Sequence, residues 1–337
     1  MERFVAEEKK PGEELAEILR THYDLGDVGT PKRMVAAHQR RHRKLIVDTA
    51  KGRFLLKTYS RDPYVLDALR FQHRLSDHMR KNELPAARIQ KAKTGSGIVE
   101  IEDWALELQE FIEGEPMQVT SGNLTVSAKA LGKFHVSCRD LPHPDRDTRT
   151  WRFSEVPREM FAKLYERAKE EDSGTQVDEH CNRIALFLQD AGNMLTWQTC
   201  SQFETGLIHG DWHSGNLLFN KGRLSGIIDL EFAGDGCYLE DLAYAASNLC
   251  IRTSTDTTRL ERRMEVLLSY YQRYRTLSPK EERALYYAVG IKHVATVAYQ
   301  SVQMDGTVAG YNSAEWMRRL AIQCEWLSQW AENAHPA

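Results

Sequence analysis

The spacing of apolar positions changes several times along the chain, and each change marks an element. Between residues 12 and 23, Leu15, Ile18 and Leu19 share one helical face behind an acidic first turn, where the helix dipole favours negative charge, so a first helix is predicted. After Gly26, Gly29 and Pro31 the period shortens. Met34-Val35-Ala36, Leu45-Ile46-Val47 and Phe54-Leu55-Leu56 read as strands, the last two joined by the turn signal Ala50-Lys51-Gly52, which predicts an antiparallel sheet. Leu66, Leu69, Leu75 and Met79 return to helical spacing over 64–79, and strands are expected at 98–101 and 104–112. Beyond Gly114 and Pro116 the pattern is mostly helical, over 126–138, 159–169, 181–195, 259–274, 279–299 and 313–331, with a solvated loop at 169–177. Strands gather in the N-terminal part and helices in the C-terminal part, so the expected class is α+β.

One interruption breaks the helical half. Leu217-Leu218-Phe219, the turn Asn220-Lys221-Gly222, and Gly226-Ile227-Ile228-Asp229-Leu230 read as a small hairpin. It is preceded by His209-Gly210-Asp211-Trp212-His213-Ser214-Gly215-Asn216 and ends at Asp229 and Glu231, so Asp211, Asn216 and Asp229 are expected at one edge. Mg²⁺ takes hard oxygen ligands from one or two side chains and leaves its other positions to water and phosphate, which suits Asn216 and Asp229. Asp211 would then be free to accept a proton from an attacking hydroxyl. Far upstream, Leu55, Lys57 and Tyr59 alternate onto one face of an otherwise apolar strand. A buried ammonium needs an anionic partner, and an ATP phosphate would provide one.

These residues carry a resemblance. His209-Gly210-Asp211 followed by Asn216, then Ile228-Asp229, with Lys57 on an early strand, resembles the aminoglycoside phosphotransferase, choline kinase and homoserine kinase superfamily. The resemblance runs from about residue 24 to the C-terminal helices and implies a two-lobed protein-kinase-like fold. Its lobes would be 1–109, binding ATP, and 115–337, catalytic and substrate-binding, joined by a hinge at 110–114. It implies Asp211 as catalytic base, Asn216 and Asp229 as Mg²⁺ ligands, and Lys57 as the ATP phosphate contact. The adenine would meet the Glu110 carbonyl and Ile112 amide and lie between Leu55, Leu218 and Ile228. Glu231 resembles an additional acidic residue near the metal, and Asp241 resembles an aspartate that braces the catalytic loop.

Two positions depart from the family pattern. Where a helix glutamate pairs with the strand lysine, this chain has Gln72, which cannot balance a charge. The phosphate-covering loop has no glycine and is instead basic, in Ala36-Ala37-His38-Gln39-Arg40-Arg41-His42. His209 and His213 are four apart, a helical zinc spacing, but Gly210 and Gly215 place them in a loop with no third soft ligand nearby. His209 is expected to hydrogen-bond backbone there.

Composition narrows the class further. A chain of 337 residues predicts about two domains, at roughly 150 residues each. With 45 basic against 48 acidic residues the net charge is −3, too little excess to hold a polyanion, and no nucleic-acid partner is expected. Residues 1–10 carry charges where a secretory leader needs an apolar stretch, and no run of about 18 apolar residues occurs, so no membrane partner and a cytoplasmic location are expected. The six cysteines are scattered without a C-x-x-C pair and read as reduced thiols.

The expected activity is ATP- and Mg²⁺-dependent transfer of the γ-phosphoryl group to a hydroxyl of a small molecule, such as an antibiotic, amino alcohol, amino acid or sugar. A protein kinase acting on Ser/Thr is the alternative, but about a dozen residues between Asp229 and Asp241 leave no room for a long activation segment. A non-catalytic nucleotide-binding scaffold is disfavoured because Lys57, Asp211, Asn216 and Asp229 are all present. A cationic aminoglycoside would want acidic residues near the catalytic segment, for which Glu204, Asp235 and Glu240 are candidates, and choline an aromatic cage. The C-terminal aromatics Trp151, Tyr238, Tyr244, Tyr299, Trp316, Trp326 and Trp330 read mostly as core, with one or two available to line the acceptor pocket.

Overall fold

The computed structural model describes residues 12–34, 43–143, 156, 158–304 and 306–334; the charged N-terminal segment, the basic run 38–42, most of the expected strand at 34–36 and Trp151 lie outside them. In chain order the elements are α1 (Gly12–His22), β1 (Lys32–Arg33), β2 (Arg43–Thr49), β3 (Gly52–Ser60), α2 (Pro63–Lys81), β4 (Ile98–Ile101), β5 (Trp104–Glu110), β6 (Glu115–Pro116), α3 (Ser121–Ser137), α4 (Arg158–Glu171), α5 (Gln176–Met194), α6 (Trp197–Cys200), β7 (Thr205–Ile208), β8 (Leu217–Asn220), β9 (Arg223–Ile227), β10 (Gly234–Cys237), α7 (Tyr238–Ala246), α8 (Thr257–Tyr271), α9 (Pro279–Gln303) and α10 (Ser313–Ala334). They form two compact units. Residues 1–115 and 218–231 make the first, and 116–217 with 232–337 the second, so nearly all of the β8–β9 hairpin belongs with the N-terminal unit rather than with its neighbours in sequence.

The first unit is built on an antiparallel sheet of order β1-β2-β3-β5-β4. Period-2 alternation gives the sheet two apolar faces. Val47, Leu56, Leu106 and Leu108 meet Leu15 and Leu19 of α1, whereas Ala105 and Ile98 meet Leu66 and Leu69 of α2. Fully burying each such side chain is worth about 1.5–3 kcal/mol. Asp62 starts α2 by accepting the Tyr64 N–H at 2.8 Å, and Pro63 takes the first helical position, where its missing N–H costs nothing.

The second unit is mainly helical, and local chemistry sets its boundaries. Thr120 caps the Asn123 N–H, so α3 begins at Ser121, earlier than the expected 126. Ser278 and Glu281 form a capping box around Pro279 and start α9 at its expected residue. The loop expected at 169–177 is shorter, because α4 runs to Glu171 and α5 starts at Gln176.

The sequence reading misses a two-stranded ladder. β7 and β10 pair antiparallel with Gly206 opposite Gly236, and glycine carries no strand signal. Both glycines make room for side chains: a Cβ at 206 would lie 2.1 Å from the Tyr238 hydroxyl, and one at 236 would lie 2.4 Å from Ile208 Cδ1. The ladder ends at Ile208, immediately before His209, and so fixes where the polar loop begins. Among the described residues no helix is long and apolar enough to cross a membrane. All six cysteines are free thiols.

Candidate active site

The loop after β7 is clamped from beneath. Asp241, fully buried in the first turn of α7, accepts the His209 N–H at 2.8 Å through Oδ2 and the Gly210 N–H at 3.0 Å through Oδ1. His135 of α3 adds its Nε2 at 3.1 Å, and its Nδ1 meets the Tyr271 hydroxyl at 2.8 Å. Burial would raise the Asp241 pKa, but the hydrogen bond of His135 first, with His209 next, holds it below its ordinary value. Gly210 has φ +78, and a Cβ there would lie 2.5 Å from the Phe232 carbonyl oxygen, so this turn requires glycine.

That turn presents Asp211, whose backbone N–H donates to His209 Nδ1 at 3.2 Å. Both oxygens of its carboxylate are held. Oδ1 accepts the Tyr244 hydroxyl at 2.7 Å, and Oδ2 accepts the Asn216 amide at 2.8 Å and faces His213 Nε2 at 3.4 Å. Burial pushes this carboxyl up, yet His213 first and Tyr244 next hold it below its ordinary value, so it is ionised at neutral pH. The histidine pair does not form a metal spacing: His213 Nδ1 accepts the Gly215 N–H at 3.0 Å, as His209 Nδ1 accepts that of Asp211. Trp212 is buried and donates to Ser127 at 3.0 Å, which anchors the loop to α3.

In the first unit, Lys57 is 5% exposed and sits opposite Glu107 in the β3–β5 register. Glu107 also accepts Tyr59 at 2.8 Å and Gln109 at 2.7 Å, and His73 of α2 reaches its Oε2 at 2.5 Å. Against the upward push of burial, His73, Lys57 and Tyr59 hold its pKa down at about 2. The negative charge beside the strand lysine therefore comes from β5, and α2 contributes His73 rather than the half-buried Gln72. Replacing Glu107 by alanine would leave His73, Tyr59 and Gln109 without their carboxylate, and is expected to cost about 3–5 kcal/mol in urea denaturation.

The same unit carries Asp229, in the left-handed region at φ 64, with Oδ2 3.5 Å from Lys44 Nζ. Glu231 is pushed up to about 7 by burial and then by Asp229, while Lys57 and Lys44 oppose the rise. Lys57, Asp229 and Glu231 thus belong to one electrostatic cluster. Nearby, the 110–114 segment meets the hairpin: a Cβ at Gly226 would lie 2.9 Å from Ile112, and one at Gly114 3.2 Å from Leu218 Cβ. Phe111 donates to the Arg53 carbonyl at 3.0 Å, two residues before Leu55. A groove of about 570 Å³ borders Glu110 and Ile112 together with Pro85 and Leu224; Leu55, Leu218 and Ile228 do not line it.

The model of the phosphotransferase enzyme family matches residues 35–283. The chain belongs to that family. This phosphotransferase is 25% identical over 317 residues to the homoserine kinase of Nitrobacter hamburgensis, with 92% of each chain covered. In fold it is similar to an aminoglycoside phosphotransferase from Alicyclobacillus acidocaldarius, at TM-score 0.70 and 15% identity over 94% of each chain. It is also similar to amicoumacin kinase hAmiN, solved with AMP-PNP and Ca²⁺, at TM-score 0.63 and 13% identity over 93% of this chain and 92% of that one. It is a small-molecule kinase with a mixed α+β fold of the protein-kinase-like type.

Three residues around its polar centres escaped the sequence reading. Glu107 had one available signal: it is a lone charge between the buried Leu106 and Leu108. Tyr244 lies three residues after Asp241, one helical turn on, and so shares its face. His213 offers only its spacing from His209 as a signal, and that spacing suggests a metal rather than a place beside Asp211. Two of the acids considered for a cationic acceptor are paired within the fold, Glu204 with Arg139 at 2.8 Å and Arg275 at 2.9 Å, and Glu240 with Lys292 at 3.0 Å.

Proposed function

We propose that this phosphotransferase moves the γ-phosphoryl group of ATP to the hydroxyl of a small molecule, with Asp211 as the base. The supporting observation is the clamped loop: an ionised carboxylate held at a glycine turn by Tyr244, Asn216 and His213, on a backbone anchored to buried Asp241. As the acceptor oxygen bonds to phosphorus, the bond from phosphorus to the β–γ bridging oxygen breaks, ADP leaves, and the hydroxyl proton passes to Asp211.

Asn216 and Asp229 fit Mg²⁺. Asn216 turns its amide nitrogen onto Asp211, which leaves its carbonyl oxygen as a hard donor, and Asp229 supplies a carboxylate. Mg²⁺ supplies charge neutralisation on the triphosphate when bound. Lys57 is assigned to the phosphates, and Leu55, Glu110, Ile112, Leu218 and Ile228 to the adenine. Relatives named homoserine kinase make hydroxylated amino acids the first acceptors to try. The test is ADP release from ATP across a panel of amino acids, amino alcohols, sugars and aminoglycosides. Acceptor-dependent release that disappears when Mg²⁺ is chelated is expected; no dependence on any acceptor would remove the proposal.

A further inference from the structure

His213 stands two residues beyond Asp211, and the chain turns it toward the same side. Trp212 between them is fully buried and tied inward to Ser127 at 3.0 Å, and the backbone at His213 is extended, with φ −138 and ψ 169. Alternate side chains on an extended backbone share a face, so Asp211 and His213 lie opposite to Trp212. Their side chains are 18% and 32% exposed, and both can be reached from solvent.

The imidazole has one function left open. Its Nδ1 accepts the Gly215 N–H at 3.0 Å, which assigns the ring proton to Nε2. Nε2 therefore has no lone pair to take a proton, and the base role stays with Asp211. As a donor, Nε2–H lies 3.4 Å from Asp211 Oδ2, beyond the usual range of about 2.7–3.2 Å for N–H···O bonds. That oxygen already accepts the Asn216 amide at 2.8 Å, and Oδ1 accepts Tyr244 at 2.7 Å. Among the described residues Nε2 makes no hydrogen bond of normal length. The acceptor hydroxyl must touch this same carboxylate to lose its proton, and it attacks phosphorus from about 3–3.5 Å, so the transferring group comes within reach of Nε2. Charge is spread over the oxygens of that group in the transition state, and a donor already fixed in place stabilises it without reorganising.

We infer that His213 is a further catalytic residue, whose Nε2–H donates to the oxygens of the phosphoryl group in transfer. This role rests on the kinase reading above, with Asp211 at the acceptor hydroxyl. In the step the acceptor oxygen bonds to phosphorus, the bond from phosphorus to the leaving oxygen of ADP breaks, and the hydroxyl proton passes to Asp211. His213 neither gains nor loses a proton.

His213→Asn separates this donor from the loop contact. Asparagine keeps a side-chain oxygen for the N–H two residues on, which His213 now satisfies at Gly215, but it is too short to place a donor where Nε2 stands. His213→Gln is long enough to restore one. With an acceptor that releases ADP, rapid-quench single turnover should show transfer slowed by about 10²–10³-fold in His213→Asn, the scale of one such donor, and partly recovered in His213→Gln. The Tm and the affinity for ADP should stay at wild-type values. Affinity for ADP with aluminium fluoride, which mimics the phosphoryl group in flight, should fall by at least about 10-fold. Transfer at the wild-type rate in His213→Asn overturns the inference. So does slow transfer with the aluminium fluoride complex bound as tightly as in wild type, because His213 then acts only through Asp211, and so does equal weakening of both complexes. Asp211→Asn is measured in parallel: its collapse beside a wild-type His213→Asn removes the role of His213 alone, whereas a wild-type rate in Asp211→Asn removes the base. If no acceptor releases ADP, the kinase reading fails and the two affinities judge His213. A loss confined to the aluminium fluoride complex then supports the phosphoryl contact, and its absence overturns it.

Discussion

Asp211→Asn is expected to lower turnover by about 10²–10⁴-fold, the range a positioned general base contributes, with nucleotide binding retained. The substitution keeps shape and removes the proton acceptor. The carboxylate now accepts Tyr244 through one oxygen and Asn216 through the other. An amide has one acceptor oxygen and one donor nitrogen, so one of these partners loses its bond, at a cost of about 1–3 kcal/mol in stability. The activity loss should far exceed what this small destabilisation explains. Rapid-quench single turnover, beside fluorescence titration of an ATP analogue, separates the two effects. A phosphoryl-transfer step as fast as wild type would take Asp211 out of the base role.

Asp241→Ala should damage the protein more broadly. Two backbone N–H groups, that of His209 buried and that of Gly210 part-buried, and His135 converge on this carboxylate. Removing one side of a buried, hydrogen-bonded charge cluster costs about 3–5 kcal/mol, and here it also releases the turn that presents Asp211. A lowered denaturation midpoint together with lost turnover is expected. Asp241→Asn, which keeps one oxygen acceptor, should recover part of the stability. Wild-type stability in Asp241→Ala would show that the clamp does not hold the loop.

The polar centres divide between what their segments announce and what only contact creates. Asp211, Asn216 and Asp229 were legible because loops and turns write their chemistry locally: a glycine that permits φ +78, short polar side chains, and a hairpin that follows within a few residues. Lys57 stood out as a single charge in an apolar strand. Gln72 is the position that spacing along a helix points to, whereas the negative charge opposite Lys57 is Glu107, on a strand 50 residues away whose register must be known first. Tyr244 looked like any buried aromatic until α7 was pinned by Asp241 and its next turn fell on the Asp211 carboxylate.

By itself the sequence determined the order of strands and helices, the α+β class and the polar loop with its hairpin, since hydrophobic period, caps and turn residues act over a few positions. The tertiary structure alone decided the Gly206–Gly236 ladder, the grouping of 218–231 with the N-terminal unit and the placing of Glu107 opposite Lys57. Each of these depends on which distant segments come to lie side by side, and burial and charge act at that contact irrespective of separation along the chain.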